Sequence, residues 1–413
     1  MRDIGKLIRN KETWLSKETW LAIIVFVMIF YQLLYTQVFL WGHHEHRIIH
    51  LGFCLAIASL SMASSRRNRF FIPLLVAIST WLTIQLLLIY PSVMSSICLP
   101  PTLAVVCSMI ALIFCAVLTW REFGILFPVV GLLALAYILL GPHFLPLAVR
   151  PPGVSVLRVI SWIAADIEAE WGIYGSLLSL FANYIWLYMI FGAFLRAFGG
   201  LRFVQQVGNV FSTKLASGPA VLAVVTSALL GSLTGSTTAN VTITGSFTIP
   251  LMKEKGYTRE QAGAIELAAS NGGQILPPIM GATAFILADF TGIPYIKVCL
   301  FALIPALLYF ATVFLYVQFQ AKKAHLTPMP GGVNRRQLLL DAPLFVLPFL
   351  ILVLLLVQGY SLMFVGFWAI VSTMGLGIIS GLLRKEARID WSEARKALVG
   401  GVKSACNIRC HAS

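Results

Sequence analysis

The sequence predicts an all-α polytopic membrane protein with about ten transmembrane helices and one re-entrant helical hairpin. Three observations predict it. Of 413 residues, 59% are hydrophobic and only 11% are charged, against about 25% charged in an ordinary soluble domain. The apolar residues come in unbroken runs of about 20, the length at which a helix crosses a hydrocarbon core, and not in the alternation of a barrel strand. Lys and Arg gather in alternate connections between the runs, as the inward bias of positive charge requires.

The first span covers 20–41. It follows a basic N-terminus but is too long, and lacks the small-residue cleavage site, for a signal peptide. Further spans read at 48–64, 70–90, 102–120, 124–143, 172–196, 261–290, 296–318, 339–358 and 361–383, with Trp20, Trp41, Tyr90, Trp120 and Trp171 as interfacial anchors. A cytoplasmic N-terminus puts Arg66, Arg67 and Arg69 inside, then Lys253, Lys255 and Arg259, then Lys322, Lys323, Arg335 and Arg336, then Arg384, Lys385 and Arg388. Of 30 Lys and Arg, only Arg47, Arg150, Arg158 and Lys297 fall outside. The net charge of +14 therefore belongs to inner loops of a cytoplasmic-membrane protein. No basic run interleaved with aromatics lies outside the spans, so no nucleic acid is expected as a partner. The lipid bilayer is.

This arrangement holds only if 217–252 begins and ends on the cytoplasmic side. Its middle, Gly231-Ser-Leu-Thr-Gly-Ser-Thr-Thr-Ala-Asn240, is rich in residues that break or weaken helices. Irregular backbone at membrane depth is tolerated only where protein or a water-filled cavity covers it, so a hairpin with its tip near the midplane is expected. The span at 261–290 is interrupted too, by Asn271-Gly-Gly-Gln274 and then Pro277-Pro278. Two consecutive discontinuous elements with polar residues at their breaks form the pattern of a midplane ion and solute site. Residues 144–171, with Asp166, Glu168 and Glu170, are too polar to span and are expected along the outer surface; 387–400 reads as an amphipathic interfacial helix.

Ser232, Thr234, Ser236, Thr237, Thr238 and Asn240 offer neutral oxygens, which with backbone carbonyls suit a hard cation such as Na⁺. The competing reading is that small polar residues only let helices pack closely. Thr242, Thr244, Ser246 and Thr248 recur at every second position, which spreads them around a helix, so some are packing or back-bonded hydroxyls. Glu266 and Asp289 are the acids nearest membrane depth. His43, His44 and His46 with Glu45 are expected in a short outer loop, a solvated cluster more than a metal site. Among seven cysteines, Cys406 and Cys410 precede His411 without the C-x-x-C-H spacing of haem attachment. No phosphate loop, H-E-x-x-H or G-x-S-x-G occurs, so no enzyme activity and no cofactor is expected.

The run GSLTGSTTANVTITGSFTIP, Gly231–Pro250, continues as LMKEKGYTREQAGAIELAASNGGQILPPIMGATAFILADFTGIPY. It resembles the large membrane subunit of tripartite ATP-independent periplasmic (TRAP) transporters, in the fused form of the TAXI type, over about 124–320 and most densely over 218–310. The resemblance implies a Na⁺-coupled, elevator-type fold with inverted repeats, a symporter for an organic acid such as a C4-dicarboxylate, and a soluble periplasmic substrate-binding protein as partner. It implies a four-span small-subunit-like module at 1–121, a first repeat at 122–320 and the start of a second at 321–413. The ion and substrate site it implies comprises Ser232, Gly235, Ser236 and Asn240 at the tip, facing Asn271, Gly272, Gly273 and Gln274. Within that set Na⁺ is held through Ser232, Ser236, Asn240 and Asn271. The family has a second hairpin and broken helix, whereas this chain stops at Ser413. The expectation is a C-terminally truncated second repeat, only the first inverted repeat complete, and no transport by this fragment. Two other readings stay open: a self-sufficient elevator-type secondary carrier, and a membrane scaffold subunit that transports nothing.

Overall fold

The computed structural model describes residues 17–38, 41–62, 71–95, 101–144, 146, 150–165, 172–213, 215–326, 335–383 and 391–405. All regular structure among them is helical. In order, the helices are α1 (Lys17–Val38), α2 (His43–Met62), α3 (Phe71–Met94), α4 (Thr102–Phe123), α5 (Leu126–Phe144), α6 (Val156–Ile160), α7 (Ser176–Leu180), α8 (Trp186–Ala197), α9 (Gly200–Ser212), α10 (Gly218–Thr234), α11 (Thr237–Glu254), α12 (Arg259–Gly272), α13 (Ala282–Thr291), α14 (Tyr295–Lys323), α15 (Arg335–Val357), α16 (Leu362–Leu383) and α17 (Trp391–Ala405). A π turn at Ser161–Ala165 follows α6, and another at Phe181–Ile185 links α7 to α8.

Eight helical stretches are long and apolar enough to cross a membrane. They coincide with eight of the ten predicted spans. The other two differ for identifiable reasons. Helix α2 opens on His43-His-Glu-His-Arg47, which lowers its hydropathy. Residues 259–291 form two helices, α12 and α13, separated by a turn. Large apolar side chains stand exposed on the qualifying helices, such as Leu300, Phe301, Ile304 and Leu308 of α14. Water would penalise such faces and hydrocarbon does not.

The chain divides into two compact units, 1–182 with 406–413, and 183–405. In the first, Ile48, Leu82, Leu86, Tyr90, Cys107 and Tyr174 form a core. The histidine cluster departs from its expected loop: His43–His46 begin α2. The His46 ring is buried, stacks on Tyr35 at 3.6 Å between centroids and pairs its Nδ1 with the Tyr31 hydroxyl at 2.9 Å. Among the described residues no three His, Cys, Asp or Glu side chains are placed to share a metal ion. The connection over 144–171 contains α6 and a π turn; its three acids lie outside the described residues, as do Cys406, Cys410 and His411.

In the second unit α10 packs against α8, α9, α11, α12 and α14. Ala220, Val221, Ala223 and Val224 of α10 meet Met252 of α11, Ala262, Ile265 and Ala269 of α12, and Val317 of α14. Small residues on α10 and α12 let these axes lie close, which is how helices associate when the solvent is itself apolar. Nothing in the sequence marks α9 as a span; at 13 residues, with Arg202, Gln205, Gln206 and Asn209, it is too short and too polar.

Candidate functional site

Helices α10 and α11 form a hairpin, closed by two residues. Gly235 ends α10 in the left-handed conformation, φ +59°, and donates its N–H to the Gly231 carbonyl. A side chain there would be strained, and its Cβ would lie 2.2 Å from the Met280 carbonyl oxygen. Ser236 then caps α11, its hydroxyl accepting from Ala239 N–H. Gly235 and Ser236 thus stop one helix and start the next without a longer loop.

Helix α12 begins on a capping box, Thr258 Oγ1 accepting from Gln261 N–H at 3.2 Å and Gln261 Oε1 accepting from Thr258 N–H at 3.0 Å. It ends at Gly272, where the chain tightens: Gly273, Gln274 and Ile275 donate three residues back, to Ser270, Asn271 and Gly272. Pro277 and Pro278, joined by a cis peptide bond, cannot continue a helix. Gly281 N–H donates to the Gln274 carbonyl at 2.7 Å, closing the turn before α13. The Tyr295 hydroxyl of α14 reaches the carbonyls of Pro278, at 2.9 Å, and of Ile279.

The hairpin tip docks on this break. Ile279 N–H donates to the Ser232 carbonyl at 3.3 Å. Thr237 Oγ1 donates to Asn271 Oδ1 at 3.2 Å. Gly231 and Gly273 touch backbone to backbone: a Cβ on Gly231 would lie 2.6 Å from the Gly273 Cα, and one on Gly273 would lie 2.4 Å from the Gly231 Cα. Residues of both expected clusters are therefore neighbours. Their side chains do not all converge. Ser232 is buried but turns its hydroxyl back to the Leu229 carbonyl, Ser236 pairs with Thr238, and Gln274 is exposed. Asn240 is fully buried. Its Nδ2 donates to the Ser227 carbonyl at 2.8 Å, while its Oδ1 and the Oγ1 of Thr234 are buried with no hydrogen-bond partner. These two unpartnered oxygens flank the Gly235–Ser236 turn and suit a bound cation.

A second polar centre lies along the hairpin, and it is largely invisible in the sequence. Glu266 of α12 is fully buried. Its Oε1 accepts from Ser227 of α10 at 3.0 Å, from Thr244 of α11 and from Ser270 at 3.1 Å; its Oε2 accepts from Thr248 at 2.5 Å. The every-second hydroxyls of α11 thus separate by face. Thr244 and Thr248, one turn apart, point inward to Glu266, and Thr242 and Ser246 are exposed and bonded back to Thr238 and Ile243. The i, i+4 pairs Thr244/Thr248 and Glu266/Ser270 were the available signal. Asp289, which the sequence does not distinguish from Glu266, is exposed on α13.

No curated protein matches the chain. The family model described as the tripartite ATP-independent periplasmic transporter, DctM component, matches residues 106–410. That stretch includes the hairpin, the break and every helix from α5 onward. That family is a transporter family, and the eight long apolar helices fit a multi-pass membrane component of it. The chain belongs to the DctM component family of the tripartite ATP-independent periplasmic transporters.

Proposed function

We propose that the chain is a membrane permease subunit of a binding-protein-dependent secondary transporter of the fused TAXI type, a class of transporter that takes up an organic acid with Na⁺. In this reading the protein lies in the inner membrane with a cytoplasmic N-terminus. Residues 1–121 act as the small-subunit module, and the hairpin over 217–252 enters from the cytoplasm within an elevator-type fold. The arms of the hairpin support re-entrance: 17 and 18 residues make about 26 Å each at 1.5 Å per residue, short of a hydrocarbon core of about 30 Å.

The observation that carries the ion site is the orphaned, fully buried Asn240 Oδ1 beside the seam between tip and break. Asn240, Ser232, Ser236 and Asn271, with backbone carbonyls at Gly235 and Gly272–Gln274, would hold Na⁺. The ion supplies a positive charge there that favours a substrate carboxylate. The chain itself supports both charges. Helices α10 and α12 bring carbonyl ends, partially negative, to the seam; α11 and α13 bring N–H ends, partially positive. Thr237 and Asn271 hold tip and break in register through their hydrogen bond.

Thermal unfolding of the purified chain in detergent, with NaCl against choline chloride, tests the reading. Na⁺ should raise the midpoint, each tenfold increase above the Kd adding about 1.4 kcal/mol, with K⁺ ineffective. The response should weaken in Asn240→Ala and Asn271→Ala. A wild-type midpoint indifferent to Na⁺, or a response unchanged in Asn240→Ala, would refute the site.

A further inference from the structure

The Glu266 cage has no place in the tip site. Every hydrogen-bond partner of its carboxylate among the described residues is a neutral hydroxyl: Ser227, Thr244, Thr248 and Ser270. No positive charge answers it from the elements packed on α12, which are α10, α11 and α14. Helix α10 carries no ionisable residue. Helix α11 carries only Lys253 and Glu254, in its last turn and exposed. On α14, Tyr309 gives its hydroxyl to the Ala268 carbonyl at 2.9 Å and Tyr295 gives its own to Pro278 and Ile279. The Cys299 thiol lies 3.5 Å from the Pro278 carbonyl; Tyr316 is exposed, and Lys297, Lys322 and Lys323 sit in the terminal turns. Arg259 and Glu260 of α12 itself lie exposed in its first turn.

The hydroxyls do not fully solvate a negative charge either. Each has one proton to give, and all four have a competing acceptor. Ser270 Oγ lies 3.4 Å from Ser227 Oγ, and Ser227 Oγ lies 3.0 Å from Thr244 Oγ1. Thr244 Oγ1 lies 2.8 Å from the Asn240 carbonyl, and Thr248 Oγ1 lies 2.9 Å from the Thr244 carbonyl. An isolated carboxylate buried in this way is strongly disfavoured unless a charge is bound with it. We propose that the Ser227/Thr244/Thr248/Glu266/Ser270 cage binds one unit of positive charge, as a cation site separate from the hairpin tip. Its ligands come from both hairpin arms and from α12. Occupancy therefore favours the docked hairpin, and loss of the charge leaves a bare carboxylate that loosens it.

A proton and Na⁺ are the two sources of that charge, and infrared difference spectra of the full chain in lipid nanodiscs separate them. The spectrum of wild type minus Glu266→Gln is recorded in Na⁺-free choline buffer and again with Na⁺. A carboxylic-acid C=O band in Na⁺-free buffer assigns the charge to a proton. Carboxylate bands that shift when Na⁺ is added assign it to Na⁺. Carboxylate bands that respond neither to Na⁺ nor to pH between about 5 and 9, the range spanning ordinary carboxylate and histidine titration, overturn the proposal. Thr248→Val serves if Glu266→Gln does not fold, because loss of that hydroxyl must move the Glu266 band in either charge state. The same response in Asn240→Ala as in wild type keeps this site distinct from the tip, so each can fail without the other.

Discussion

Gly231 and Gly273 leave no room for a single carbon. The atom that an added Cβ would meet is the α-carbon of the other glycine, and backbone yields less readily than a flexible side chain. Overpacking of this kind costs about 1–3 kcal/mol, so Gly231→Ala and Gly273→Ala should each lower the unfolding midpoint in detergent. Gly263→Ala is the control. It lies in α12, and a Cβ added there would meet nothing within 4 Å, so better helix propensity should make it neutral or stabilising by up to about 1 kcal/mol. The hydroxyls allow a matched comparison. Thr244→Val removes a buried donor to Glu266 and should cost about 1–3 kcal/mol. Thr242→Val removes an exposed hydroxyl bonded only to its own helix and should stay within about 0.5 kcal/mol of wild type. Equal losses at 242 and 244 would show that the cage contributes nothing beyond helix propensity.

At the scale of elements, the break between α12 and α13 is held from outside as well as within. Tyr295 of α14 ties down two of its carbonyls. Tyr295→Phe should therefore raise amide hydrogen exchange across 273–281, read by mass spectrometry, with exchange in α15 and α16 unchanged; uniform loss of protection would point to global destabilisation instead. Thr258→Ala, which removes the capping box, should cost about 1 kcal/mol and speed exchange in the first turn of α12. These elements also show how far the sequence could be read. The hairpin and the break were legible because Gly, Asn and Pro disfavour a continuous helix even inside an apolar run, and the two-residue turn at Gly235–Ser236 follows from their backbone preferences. The docking of one on the other was legible only as composition. That Ser232 turns away while Asn240 keeps an unpartnered oxygen depends on rotamers fixed by α10, α11 and α12 together. Glu266 shows the same limit: its hydroxyl partners lie 39, 22 and 18 positions away, and 4 for Ser270, and only the last spacing is local.

For the whole molecule, the proposed cytoplasmic entry of the hairpin, with α12 and α13 together crossing the membrane, puts residues 255 and 291 on opposite sides. In a background with the native cysteines replaced, Lys255→Cys should react with a membrane-impermeant maleimide only from the cytoplasm, and Thr291→Cys only from the periplasm. Labelling of both from one side would contradict a membrane-crossing break. Eight of the ten predicted span positions coincide with long apolar helices, because hydropathy is a property of long runs. Helix α9 and the α6 segment were not, because short amphipathic elements take their stability from neighbours and not from their own composition.

The contact between Gly231 and Gly273 also bears on how the gene can vary. Any codon change that replaces either glycine adds at least one carbon, and neither residue can become smaller to accommodate the other. A second-site revertant within the pair is therefore impossible, unlike the usual case of a large core residue matched by a small one. In a saturation library selected for stable folded protein, glycine should be the most enriched residue at both positions, and rescue of Gly231→Ala should arise from substitutions that shift α10 or α12 bodily, never from position 273.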